Sequence, residues 1–62
     1  MNDFNEKTIM ITGSSGLIGS NLVKSLLKNN NTKVIAVGRN IKELNNIFYK
    51  YKNNSNLILL EH

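Results

Sequence analysis

The residues whose types and spacing can do chemistry run Thr12-Gly13-Ser14-Ser15-Gly16-Leu17-Ile18-Gly19, with glycines at positions 13, 16 and 19. A strand that stops at a glycine can leave through backbone angles that a side chain forbids. A second glycine, at the start of a helix, brings bare backbone up to a ligand, and a third, one turn on, lets the helix pack closely on the sheet. The opening amides of such a helix, here near Leu17 and Ile18, have no partners within it, and the helix dipole makes that end positive. Together these features build an anion cradle suited to a pyrophosphate. Ser14 and Ser15 add hydroxyl donors. A P-loop is excluded, because no Gly-Lys-Ser/Thr follows at the helix start.

A second informative place is Gly38-Arg39-Asn40. Where a dinucleotide binds, the end of the second strand commonly bears Asp or Glu, which accepts from the ribose 2′-OH. Gly38 leaves room there instead, and the Arg39 guanidinium suits a 2′-phosphate, which it can grip in a fork. Lys42, one turn further on, adds positive charge. The candidate cofactor site is therefore Gly13, Ser14, Ser15, Gly16, Leu17, Ile18 and Gly19 at the pyrophosphate, with Arg39, Asn40 and Lys42 at the adenosine end. NADP is the expected cofactor, ahead of NAD.

The elements that must position these residues are legible as apolar patterns. Thr8–Thr12, Val34–Val37 and Leu57–Leu60 are short, continuously apolar runs, the mark of parallel strands buried on both faces. Between them, Ile18, Leu22, Val23, Leu26 and Leu27 recur at helical spacing within 17–28, and Ile41, Leu44, Ile47, Phe48 and Tyr51 do so within 41–51. Asn40 suits the N-cap of the second helix. The order strand, helix, strand, helix, strand predicts an α/β fold: a Rossmann-type β-α-β-α-β parallel sheet, strand order 3-2-1, as part of a doubly wound domain. Two crossovers in one direction put both helices on one face of the sheet. The other face is then apolar and uncovered, and is expected to meet either the rest of a longer domain or another chain.

Size and composition bound the rest. The chain has 62 residues and is one unit, 1–62. A unit this short hides only ~60% of the surface that its unfolded chain exposes. With no cysteine, disulfides and thiolate metal sites are excluded. The polar, acidic opening at Met1 to Glu6 is unlike a secretory leader, and no apolar run approaches a membrane span. A soluble cytoplasmic protein is expected. The net charge of +4 comes from scattered lysines and Arg39, with no basic stripe interleaved with aromatics, so neither nucleic acid nor membrane is an expected partner. The 12 asparagines fall mostly between the apolar segments, where Asn suits turns and helix ends. His62 has no Cys, Asp or second His near it in the sequence, so a metal role is not expected.

The run from Lys7 to Val23, with its TGxxGxxG glycines and the Leu17-Ile18 pair, resembles the opening of the extended short-chain dehydrogenase/reductase family, the NAD-dependent epimerase/dehydratase group. Val37-Gly38-Arg39-Asn40 fits it as well, and the likeness extends from Lys7 to the third strand. The resemblance implies an NAD(P)-dependent epimerase, dehydratase or reductase acting on a nucleotide-sugar-like substrate. It also implies a catalytic Tyr-x-x-x-Lys pair and a Ser or Thr later in the chain. Tyr49 is followed four places on by Asn53 and Tyr51 by Ser55, so neither tyrosine makes that pair, and no catalytic residue is assigned. Tyr51 reads as packing and Tyr49 as surface. The chain therefore reads as the N-terminal, cofactor-binding part of an enzyme, not active alone, with Leu60-Glu61-His62 native rather than the start of a histidine tag. Two alternatives stand beside it: a non-catalytic NADP-binding sensor module, and a piece that only self-associates through its uncovered sheet face.

Overall fold

The computed structural model describes residues 7–62. The acidic opening that argues against a secretory leader lies outside them. Three parallel strands, β1 (Lys7–Ile11), β2 (Thr32–Gly38) and β3 (Leu57–Glu61), form one sheet in the order β1-β2-β3. Helix α1 (Leu17–Leu26) joins the first pair and α2 (Ile41–Ile47) the second. This is the expected 3-2-1 order with β2 in the centre, the neighbour relations of a Rossmann-like sheet.

Register decides which side chains meet. Ile9, Val34 and Leu57 form one row across the sheet, and Ile11, Ala36 and Leu59 the next. Val34 and Ala36 are fully buried in one cluster with Val23 and Leu27 of the α1 region and Leu44 and Phe48 of the α2 region. Both helices thus cover the same face of the sheet. Burying a side chain of this size stabilises by about 1.5–3 kcal/mol, so this cluster is the main cohesive element. The alternate rows point the other way. Met10, Ile35 and Ile58 stand side by side, followed by Val37 and Leu60. Met10, Ile58 and Leu60 are about half exposed, at 58%, 48% and 44%. Burial on both faces, expected of all three strands, therefore holds only for much of β2. β1 and β3 flank the sheet, and each exposes every second residue.

Helix α1 is turned differently from the apolar pattern. Ser20 and Val23 are its buried residues, while Ile18 is 83% and Leu22 45% exposed. The reason is Gly19. A Cβ there would meet the backbone of Gly13 and Ser14, so the helix presents its glycine and serine to the loop and rotates Ile18 outward. Helix α2 is shorter than expected. It ends at Phe48, and the chain continues as a single 3-10 turn over Tyr49–Tyr51. Phe48, 1% exposed, belongs to the core cluster with Leu44, Val34 and Ala36, and its backbone, at φ −105° and ψ 26°, leaves α geometry there. Tyr51 packs against the core and Tyr49 is on the surface, both as expected.

Candidate dinucleotide cleft

All three parallel strands end at the same edge of the sheet, so whatever follows each strand gathers there. In open α/β sheets this is the edge where ligands bind. A cleft of about 420 Å³ lies at this edge, lined by Thr12, Gly13, Ser15, Val37, Gly38, Arg39, Glu43 and His62.

The glycine loop is built by backbone geometry. Gly13 has φ +66°, a left-handed conformation that costs an L-residue about 1–2 kcal/mol. The Gly16 amide donates to the Gly13 carbonyl at 3.1 Å, closing a tight turn, and the Ser20 amide donates to Gly16 at 2.9 Å, starting the helix. Gly16 is the extended N-cap of α1, and no side chain caps the helix there. No acidic residue lies in the first turn either. The opening amides of α1 therefore keep the positive end of the helix unneutralised. A Cβ on Gly16 would make only an ordinary 3.5 Å contact with the Gly13 oxygen. Nothing among the described residues demands glycine there, whereas a ligand lying against the loop would.

The two serines part company. Ser14 is fully buried; its hydroxyl donates to the Ile11 carbonyl at 2.7 Å and its amide to the Val37 carbonyl at 2.9 Å. It ties the loop to the ends of β1 and β2, and its hydroxyl is not turned to the cleft. Ser15 is on the cleft wall.

At the far wall, Gly38 is buried for a reason internal to the fold. A Cβ there would lie 2.9 Å from Leu44 Cδ2, so glycine makes room for the core. Arg39 is exposed and lines the cleft. Asn40 caps α2, its side-chain oxygen accepting from the amides of Lys42 at 2.9 Å and Glu43 at 3.2 Å. Lys42 is exposed and not part of the lining, while Glu43, one residue on, is. Of the candidate residues, Gly13, Ser15 and Arg39 line the cleft; Thr12, Val37, Gly38, Glu43 and His62 line it from outside that set, and of these Glu43 and His62 belong to neither motif stretch. His62 was findable, because a residue directly after the third parallel strand must stand at the edge to which the glycine loop also belongs. Glu43 was not, because its orientation depends on where α2 starts its first turn.

Lys52 donates to the Tyr49 hydroxyl at 3.0 Å and lies 4.2 Å from the ring centroid, on the surface after α2 and away from the cleft lining. Among the described residues, no group of three or more His, Cys, Asp or Glu stands together as a metal site. No helix among them is long and apolar enough to cross a membrane.

The family model described as NAD dependent epimerase/dehydratase family matches residues 9–59. No curated protein and no solved structure matches the chain.

Proposed function

The chain belongs to the NAD-dependent epimerase/dehydratase family, and from that premise we propose that the cleft holds a nicotinamide dinucleotide with its pyrophosphate against Thr12–Gly19. The carrying observation is the uncapped opening of α1 beside a glycine loop whose Gly16 has no internal reason to lack a side chain. Backbone amides of the first turn, near Leu17 and Ile18, donate to the phosphate oxygens, with the Ser15 hydroxyl beside them. Arg39 meets the adenosine ribose and favours a 2′-phosphate, making NADP the preferred form, with Lys42 adding charge at longer range. When bound, the cofactor supplies hydride exchange at its nicotinamide ring. This chain's own contribution is to bind the dinucleotide and fix its orientation.

The general acid and base are not assigned within these residues. We read the chain as the N-terminal part of a larger catalytic domain, whose remainder covers Met10, Ile35, Ile58 and Leu60. Exposed apolar side chains on one sheet face support this reading, because doubly wound sheets carry helices on both faces. A nucleotide-sugar-like substrate is the class that the family relationship favours.

Calorimetric titration of the intact protein with NADP and NAD tests the proposal. Binding that disappears in Gly16→Val, while the thermal unfolding midpoint holds, supports it. Undiminished affinity in that variant refutes it.

A further inference from the structure

Glu61 is a charged residue at the end of an otherwise apolar strand, Leu57-Ile58-Leu59-Leu60-Glu61. Strand alternation puts it on the same face as Leu57 and Leu59, which pack toward the helices. Its carboxylate oxygen accepts from the Ile41 amide at 2.8 Å, a bond that joins residues 20 apart in sequence. Ile41 is the first residue of α2, so this carboxylate oxygen takes the first of the helix's opening amides.

The same two stretches are joined a second time. The His62 amide donates to the Gly38 carbonyl at 2.8 Å. Only Arg39 and Asn40 lie between Gly38 and Ile41. The short turn that carries Arg39 is therefore held at both ends by consecutive residues of one strand end. The Asn40 side chain takes the next two amides of α2, those of Lys42 and Glu43. All three opening amides of α2 thus have partners from the chain itself. A phosphate on the ribose 2′ position would find no free helix amide on this side, and would depend on where the Arg39 guanidinium stands.

We propose that Glu61 is a positioning residue for the Arg39 turn: by accepting the Ile41 amide it holds the guanidinium at the adenosine end of the cleft, and so sets the preference for NADP over NAD. The role rests on the dinucleotide reading given above. Glu61 does not touch the cofactor; it acts through Arg39.

The test compares Glu61→Ala with Glu61→Gln in the intact protein. Glutamine keeps an oxygen able to accept the Ile41 N–H and removes the charge. In Glu61→Ala, hydrogen exchange at the Ile41 amide rises about tenfold or more, and NADP affinity falls about five- to tenfold, with a smaller loss for NAD. In Glu61→Gln, exchange and both affinities stay within about twofold of the unmutated protein. If Glu61→Ala does not fold, Glu61→Asp, one methylene shorter, takes its place with the same expectations. Unchanged exchange at Ile41, equal losses for NADP and NAD, or no recovery with glutamine each overturns the proposal. Failure of the unmutated protein to bind either dinucleotide sinks the cofactor reading itself, and the Ile41 exchange then decides separately whether Glu61 holds the turn.

Discussion

The carbonyl oxygen of Gly13 occupies the place where a Cβ on Gly19 would stand. The nearest further atoms to that Cβ are Gly13 C at 3.0 Å and Ser14 Cα at 3.1 Å, both backbone. Backbone cannot rotate aside as a flexible side chain can, so Gly19→Ala must push α1 away from the loop or deform the loop. We expect a loss of about 1–3 kcal/mol in stability, of the size seen for overpacking. Dinucleotide affinity should fall with it, because the cradle and the helix opening are then no longer in register. Denaturant unfolding and calorimetry on the same protein preparation check both, and a fully stable Gly19→Ala would show that the loop yields freely.

Gly16 makes the opposite case within the same motif. A Cβ there meets the Gly13 oxygen at an ordinary 3.5 Å, and the residue's extended conformation is open to any side chain. Gly16→Ala should leave stability within about 0.5 kcal/mol while weakening the dinucleotide. The measurement is again paired unfolding and titration, and a loss of stability without loss of binding would reverse the roles assigned to the two glycines.

Ser14 and Ser15 separate along the same line. Ser14→Ala removes a buried hydroxyl that donates to Ile11 at 2.7 Å, and leaves that carbonyl without its side-chain partner. The expected cost is about 1–2 kcal/mol of stability, with any effect on affinity following from it. Ser15→Ala should instead leave stability unchanged and weaken dinucleotide binding several-fold. Thermal melts with and without NADP distinguish the two; identical behaviour of both variants would argue that neither hydroxyl has a distinct task.

These contrasts also show what the sequence does and does not specify. The strands, their order and the glycine turn are legible because they rest on local chemistry: β-branched runs, glycines at fixed spacing, and Asn40 ahead of a helical pattern. The rotation of α1 is not, because apolar spacing weighs Ile18 and Leu22 as core, while the contact of Gly19 with Gly13 decides the phase and buries Ser20. Ser14 reads as a ligand donor by type, yet its partner Ile11 depends on a turn whose course only the folded backbone defines. Gly38 reads as an opening for a phosphate, yet Leu44, six residues on, needs the same space. Glu43 enters the cleft lining through the exact start of α2, and helix starts are poorly fixed by pattern alone.

Arg39 and Glu43 put opposite charges on one cleft wall, and that pair yields the sharpest prediction about cofactor choice. A guanidinium that grips a 2′-phosphate makes a charge-assisted contact that NAD cannot make. Arg39→Ala should weaken NADP by about 1.5–3 kcal/mol and NAD by much less. Glu43 acts in the other sense, since a carboxylate near the 2′ position repels phosphate more than hydroxyl. Glu43→Gln should therefore raise NADP affinity modestly, at most a few-fold because the wall is open to solvent and salt screens it, and leave NAD nearly unchanged. Raising the ionic strength should shrink both effects together. Titrations of the two variants with NADP and NAD at low and high salt check this, and equal changes for both cofactors would place Arg39 away from the ribose.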